Sequence, residues 1–252
     1  MKEQSQTITT ETQAAKKARP LYNIFTTVPP SYDLINRLFT WRLDERWRKK
    51  AARICLEDTP ARVMDLCTGT GDLAIRFAAI AGTGTEITGY DYSQPMLDIA
   101  QKKALKKGSP GIRFTLGDAA EMPFPDGHFD SIGIAFAFRN LTYKNSDSKR
   151  FLREIFRVVK PGGCFVVVES SQPKNPVMRF LFRIYTKTMV YYIGSWISGN
   201  KTAYRYLANS VIDYFQPEEV NALLKNTGFA DVRHMPLLGG VAAIHVAIKG
   251  RG

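Results

Sequence analysis

Cysteine is scarce in this 252-residue chain: Cys55, Cys67 and Cys164 are the whole complement, an odd number without a Cys-x-x-Cys pair. That pattern suggests neither a disulfide framework nor a zinc site, and it fits a reduced, cytosolic compartment. No stretch offers the ~18 uncharged apolar residues of a membrane-spanning helix. The first nineteen residues, rich in Thr, Gln and Lys, also lack the continuous apolar core of a secretory signal, so they read as a loose tail. Histidine is limited to His128, His234 and His245, with neither metal-ligand spacing nor an acidic neighbour arranged as in His-Glu-x-x-His. Acidic charge is short too. The 23 Asp+Glu face 35 Lys+Arg, and the resulting +12 favours an anionic partner such as nucleic acid, a lipid headgroup surface or an acidic ligand.

The remaining composition is ordinary for a globular protein, 44% apolar and 23% charged. At roughly 150 residues per domain the length admits one elaborated domain or two small ones, and the pattern favours one with attachments. Two helical patterns run from Leu21 to about Glu57, one of them carrying Tyr32, Leu34, Ile35, Leu38 and Phe39. Then short β-branched runs alternate with helix-length segments: Val63 to Leu66, Glu86 to Tyr90, Ile112 to Leu116, Ser131 to Ala135 and Cys164 to Val168. Such alternation implies crossover connections and a mostly parallel sheet with helices on both faces. Ser93 before Gln94-Pro95 reads as an N-cap, and Lys160-Pro161-Gly162-Gly163 as a helix stop feeding the fifth strand. From Ser171 to about Ile212 the period is helical and the content aromatic. A helix over Pro217 to Thr227 and strands near Val232 to Leu237 and Ala242 to Ile248 close the chain. The expected division is a flexible tail over 1–20 and one unit over 21–252. Within that unit come N-terminal helices to 60, a core over 61–170, a helical lid over 171–212 and a closing part over 213–250.

The sharpest local signal is Val63-Met64-Asp65-Leu66-Cys67-Thr68-Gly69-Thr70-Gly71-Asp72, an apolar strand running into a glycine turn and a helix. Without Cβ atoms, Gly69 and Gly71 let backbone N–H groups approach a ligand at the carboxyl edge of the sheet. Asp91, twenty residues beyond Gly71, stands where a carboxylate can accept the hydroxyl protons of a ribose. This layout suits an adenosine-type ligand. Gly69-x-Gly71-x-x-Ala74 also satisfies the dinucleotide fingerprint, so a nicotinamide cofactor has to be weighed. Against it stand Asp65, Asp72 and a third acidic element at Gly117-Asp118-Ala119-Ala120. Carboxylates repel a pyrophosphate but suit the ammonium and sulfonium of S-adenosylmethionine (SAM). None of the eleven tyrosines is followed four positions later by lysine, which removes the Tyr-x-x-x-Lys pair of short-chain dehydrogenases.

Several further motifs are distinctive: Tyr32-Asp33-Leu34-Ile35-Asn36, Met122-Pro123-Phe124-Pro125-Asp126, Phe138-Arg139-Asn140-Leu141-Thr142, Arg157 to Gly163, Ala203-Tyr204-Arg205-Tyr206-Leu207 and Gly239 to His245. With the glycine turn, they make the chain resemble, from about Leu21 to Lys249, the UbiE family of class I SAM-dependent methyltransferases. That family C-methylates the ring of menaquinone and ubiquinone precursors. The resemblance implies an α/β, Rossmann-like class I fold: a doubly wound, mostly parallel seven-stranded sheet with N-terminal helices and a helical lid insertion. It places SAM against Thr70 in the glycine turn, with Asp91 on the ribose and Asp118-Ala119 beside the adenine; Asp65, Gly69 and Gly71, read from the turn itself, complete the candidate cofactor-binding set. A serine that many members use in the pocket is Ala135 here, and the link after Asn140 is longer, which reshapes the pocket rim. The choice between menaquinone and ubiquinone precursors stays open, as does another small apolar acceptor.

C-methylation of this kind needs an ionised, electron-rich quinol ring held in line with the methyl group, a task of positioning and base or electrostatic assistance that requires no metal. The resemblance makes Arg139, Asn140 and Tyr32 the acceptor-side residues. Arg139 would stabilise the phenolate or orient a water, and Asn140 and Tyr32 would hold oxygens. His128 reads as a solvated turn residue, Cys67 as structural, and His245 as either a pocket or a core residue. Between Glu169 and Asp213 no acidic residue occurs, whereas Lys174, Arg179, Arg183, Lys187, Lys201 and Arg205 are basic and eight aromatics intervene. Arg179, Arg183 and Lys187 share a four-residue spacing, as on an interfacial amphipathic helix. The expected partners are therefore a prenylated quinol and an anionic membrane surface, with the protein cytoplasmic and peripheral to the inner face of the membrane. No recognised nucleic-acid motif accompanies the charge. A homodimer is left open.

Overall fold

The computed structural model describes residues 39–198 and 201–251. The tail and the helical pattern through Leu38, with Tyr32 in it, lie outside the described residues. Helix α1 (Leu43–Cys55) opens the described chain with Asp44 and Glu45 in its first turn, where acidic charge complements the helix dipole. It turns Ala51, Ala52 and Cys55 inward.

Seven strands follow: β1 (Arg62–Leu66), β2 (Glu86–Asp91), β3 (Arg113–Leu116), β4 (Phe129–Ala135), β5 (Val159–Ser170), β6 (Asp231–Leu237) and β7 (Ala242–Ile248). They form one sheet in the order β3-β2-β1-β4-β5-β7-β6. The first five are mutually parallel, and β7 runs antiparallel between β5 and β6. Side chains alternate across the sheet as the two-residue period requires: Phe165 and Val167 of β5 enter one core, Val166 and Val168 the other. Met64 and Leu66 of β1 share the first core, while Val63 joins Ala51, Leu73 and Phe77 in the second. Asp65, on the parity of Val63, therefore faces the α1 side.

Four helices connect the parallel strands: α2 (Asp72–Ile80), α3 (Gln94–Lys106), α4 (Phe138–Thr142) and α5 (Ser148–Val158). Of two readings of helix ends, one holds in position and one needs correction. Ser93 holds the N-cap position of α3, but its hydroxyl makes no cap bond and is buried without a partner. Its N–H instead donates to the Asp91 carboxylate at 3.0 Å. Lys160 to Gly163 lie inside β5, which starts at Val159 directly after α5, because Val159 pairs with Phe129 and the ladder shifts register before Ser131.

Between β5 and β6 the chain is helical, as its period implies. Helix α6 (Pro176–Tyr185) is capped by the Asn175 side chain, which accepts from the N–H groups of Val177 and Met178. It widens into a π-helical stretch over Thr186–Ile193 and continues as α7 (Gly194–Ser198) and α8 (Lys201–Ile212). Helix α9 (Pro217–Thr227) opens on a Gln216–Glu219 capping box and stops at Gly228. Among the described residues no helix is long and apolar enough to cross a membrane.

Candidate functional site

At the carboxyl ends of β1, β2 and β4 lies a cavity of about 380 Å³. The β1–α2 turn forms one wall. Asp65 organises it: one carboxylate oxygen accepts the Thr68 hydroxyl at 2.6 Å and the Ala74 N–H at 2.8 Å. Burial pushes the Asp65 carboxyl up to about 7, although those two donors and the Arg48 charge pull it down. Gly69 and Gly71 both have positive φ, but they serve different ends. A Cβ on Gly69 would meet open space on the cavity side, whereas one on Gly71 would stand 3.0 Å from Cβ of Ala100 and 3.3 Å from the Phe114 ring. Gly71 is not among the cavity-lining residues; what forbids a side chain there is the close pass of α3 and β3.

Asp91 closes the opposite side. Its carboxylate accepts the Gly69 N–H at 2.8 Å, the Ser93 N–H at 3.0 Å and the Tyr92 N–H, and burial raises it to about 6. Of the roughly four lone-pair directions on a carboxylate, about one is left for a ligand hydroxyl. Asp118 and Ala119 also line the cavity, and Asp118 accepts the Ala120 N–H at 3.0 Å. Asp72 carries less free charge than the sequence implies, because Lys103 Nζ lies 2.6 Å from it while also donating to Thr70 Oγ1 at 3.1 Å. Ala135 and the stretch from Tyr143 to Asp147 line the same cavity, so the link after Asn140 forms part of its rim.

A second cavity, about 360 Å³, opens between α1, the lid and the sheet. Its walls are mostly apolar, with Trp41, Trp47, Leu181, Phe182, Val190 and Leu207 among them; Arg139 and Glu169 are its charged residues together with Asp44 and Arg48. Arg48 and Phe136 line both cavities. Phe136 adopts a left-handed φ of 59°, a strained state for a bulky residue, and places its ring 5.0 Å from the Arg48 guanidinium.

Arg139 is no surface residue: it is 4% exposed. Its Nη1 donates to Asn140 Oδ1 at 3.1 Å and to Ser210 Oγ at 2.7 Å. Glu169 holds it from behind, accepting the Arg139 backbone N–H at 3.0 Å and the Ser170 N–H at 2.8 Å, with Arg139 Nε 3.8 Å away. That Nε is buried without a hydrogen-bond partner. Asn140 lines the first cavity and Arg139 the second, so the pair spans the divide. Glu169, Ser210, Arg48 and Phe136 were not singled out in the sequence. The acidic gap after Glu169 pointed only to charge, and nothing local marks Ser210 as a partner of a residue 71 positions earlier.

The histidines lie elsewhere. His245 packs in β7, bonds Asn221 Oδ1 at 2.8 Å and is pushed down to about 3 by burial and by His234, so it belongs to the core and not to either cavity. His128 is not merely solvated: it stacks on Phe124 and meets Arg62 at 3.0 Å. Cys67 does line the first cavity, and burial holds its thiol well above the ordinary value, which suits a structural residue and not a nucleophile. Among the described residues no group of three or more His, Cys, Asp or Glu is placed to hold a metal ion.

A seven-stranded sheet with one antiparallel strand near its edge, a glycine turn after β1 and a ring of carboxylates around it together define a SAM-dependent methyltransferase. Solved structures share that fold. A SAM-dependent methyltransferase from Aquifex aeolicus matches with a TM-score of 0.54 at 20% identity, over 78% of this chain and 88% of that one. Phosphoethanolamine N-methyltransferase 2 of Haemonchus contortus, solved in complex with SAM, matches with a TM-score of 0.55 at 14% identity, over 79% of this chain and 52% of that one. Residues 12–249 match the ubiE/COQ5 methyltransferase family, and the chain belongs to it. Relatives include a demethylmenaquinone methyltransferase of Thermus thermophilus, 44% identical over 88% of this chain and 98% of that protein. The ubiquinone/menaquinone biosynthesis C-methyltransferase UbiE of Ectopseudomonas mendocina is 34% identical over 93% and 91%.

Proposed function

We propose that the chain transfers the methyl group of SAM to a ring carbon of a reduced, prenylated quinone precursor, demethylmenaquinol or its ubiquinone-pathway counterpart. The observation that carries this reading is the pairing of an acidic cavity with an apolar one across the Arg48–Phe136 wall and the Arg139–Asn140 pair. SAM, when bound, supplies an electrophilic methyl on a sulfonium. The chain's own residues do the rest. Asp91 takes a ribose hydroxyl, Asp118 and Ala119 flank the adenine, and Gly69 with Thr70 leaves the turn open to the amino-acid end. Asp65 shapes that turn and offers negative potential to the cationic end. On the other side, apolar walls desolvate the quinol ring, and Arg139 stabilises the phenolate oxygen that forms as its proton passes to water; once the carbon–methyl bond has formed, the ring carbon gives up its own proton to water and the ring is aromatic again. Asn140 keeps the guanidinium aligned, and Tyr32 is proposed to hold the second ring oxygen.

The test is incubation with SAM and a short-chain demethylmenaquinol, with mass spectrometry of the extracted ring. A gain of one methyl on carbon is expected. A protein that binds SAM yet leaves both quinol precursors unmethylated under reducing conditions would exclude this acceptor and favour another small apolar one.

The same reading includes a cytoplasmic protein held peripherally on an anionic membrane through the lid. Helix α6 buries none of its residues, and Val177, Phe180, Leu181 and Ile184 stand exposed at the spacing of one helical stripe. The basic contribution is narrower than the sequence implies. Arg179 donates to the Pro173 and Lys174 carbonyls, and Lys174 pairs with Glu218 at 2.6 Å, which leaves Arg183 and Lys187 facing solvent beside the exposed stripe, with Lys201 and Arg205 exposed on α8. Near an anionic surface each such charge contributes on the order of 1 kcal/mol. Reversing Arg183 and Lys187 to Glu should release the protein from anionic vesicles in cosedimentation, by roughly tenfold or more in partitioning. SAM binding should be untouched. Equal partitioning of variant and wild type would remove the lid from membrane contact.

A further inference from the structure

Arg48 has a guanidinium with more donors than partners. One nitrogen, Nη1, bonds the buried Asp44, whose other oxygen accepts the Thr40 hydroxyl at 2.7 Å. Its remaining N–H groups find no acceptor among the described residues, yet they are not sealed in the core, and the side chain lines both cavities. Asp44 already neutralises its charge, so what the guanidinium still offers the cavities is N–H donors, which a planar acceptor such as a carboxylate can take two at a time.

The first cavity supplies a reason for such an acceptor. Asp65, Asp72, Asp91, Asp118 and Asp147 line it, and Arg48 and Lys144 are the cationic side chains among its described lining. SAM carries a carboxylate at the end of its methionine moiety, beside an ammonium and a sulfonium. The carboxylate of such a zwitterion cannot settle near the β1–α2 turn unless a cation faces it, because like charges repel. Lys144 lies on the exposed rim over Tyr143. Arg48 comes from the α1 side, close enough to Asp65 to stabilise its charged form. It also lies against Phe136 at the end of β4.

We propose that Arg48 receives the carboxylate of the methionine moiety of SAM, and so fixes the amino-acid end of the donor against the wall facing the acceptor cavity. This rests on the SAM reading above. Asp44 positions the guanidinium, and Phe136, in its left-handed conformation, supplies the face on which it lies. Planar two-point recognition of a carboxylate is what a guanidinium does better than an ammonium.

The test compares two ligands by calorimetry: S-adenosylhomocysteine and its decarboxylated form, S-adenosyl-3-thiopropylamine, which keeps the adenosine and the amine. Wild type should prefer the carboxylate-bearing ligand by about tenfold or more, the value of a charge-assisted hydrogen bond. In the double variant Asp44→Asn/Arg48→Gln, which leaves no unpaired buried charge, the preference should collapse. A purely structural Arg48 would weaken both ligands alike and leave the ratio standing, which would overturn the proposal, as would a wild type without preference. Should that variant fail to fold, Arg48→Lys retains the charge beside Asp44 and loses the planar fork, so the ratio should still fall severalfold. An unchanged ratio there is contrary. Lys144→Ala should keep the full preference, and its loss would assign the carboxylate to the rim instead. Wild type binding neither ligand would refute the SAM reading itself.

Discussion

Replacing Arg139 by alanine should lower turnover on the quinol about a hundredfold or more while leaving SAM affinity within a small factor of wild type, the typical consequence of removing one electrostatic stabiliser from an enclosed site. The expectation follows from where the side chain lies. Arg139 is on the apolar cavity and its neighbour Asn140 on the acidic one, so loss of the guanidinium touches the acceptor first. The Asn140 amide and the Ser210 hydroxyl then lose their donor, and Glu169 keeps only its backbone donors. Some destabilisation accompanies this, because a buried carboxylate has lost its counter-charge. Kinetics are therefore read well below the melting temperature, with kcat and KM separated. Arg139→Lys sharpens the test. It returns the charge but not the rigid planar group that sets Nη1 on Asn140 and Ser210 while Nε faces Glu169, so it should remain far below wild type. Near wild-type turnover in Arg139→Ala would remove Arg139 from the chemistry, and near wild-type turnover in Arg139→Lys would reduce its role to charge alone.

Why the sequence exposed some of this site and concealed the rest follows from the range of each interaction. The glycine turn and Asp91 lie at strand ends, where periodicity and spacing give position directly, while the resemblance singled out Thr70, Asp118 and Ala119; Asp65, Gly69, Thr70, Asp91, Asp118 and Ala119 all line one cavity, and Gly71 does not. Gly71 reads identically to Gly69 in the chain; only the approach of Ala100 and Phe114 separates a glycine needed for packing from one that borders a cavity. Arg139 was legible as a motif residue but not as a buried one, because its environment is made by Glu169 from β5 and Ser210 from α8, residues 30 and 71 positions away. Arg48 was hidden for a similar reason. In the sequence it is one member of the basic run from Arg46 to Arg53, and only the fold turns it inward onto Asp44 and Phe136 while its neighbours Lys49 and Lys50 stay in solvent. The lid shows the converse error: Arg179 shares a helical spacing with Arg183 and Lys187, yet the carbonyls ahead of the helix claim its guanidinium.

Asp91→Ala should weaken SAM binding by about ten- to a hundredfold, from the roughly 1.5 to 3 kcal/mol carried by a hydrogen bond to a charged group. Three backbone donors already occupy this carboxylate, so the ligand gains about one bond there and not two. Part of the loss is indirect, since the Gly69 N–H that Asp91 holds belongs to the turn that borders the ligand. The pH dependence separates the two contributions. Burial raises Asp91 to about 6 and Asp65 to about 7 in the free protein, so near pH 6 both are partly protonated. A cationic ligand favours their charged forms and lowers both values, so binding expels protons and affinity must rise as pH climbs from about 5 towards 8. In Asp91→Ala the part of that rise centred near 6 should vanish, while the part due to Asp65 survives, moved to lower pH because the Asp91 charge no longer raises it. Calorimetry in two buffers of different ionisation enthalpy counts the protons directly. Unchanged affinity and an unchanged pH profile in the variant would take Asp91 out of the binding site. A uniform loss with the full pH rise retained would leave it only a turn-holding residue.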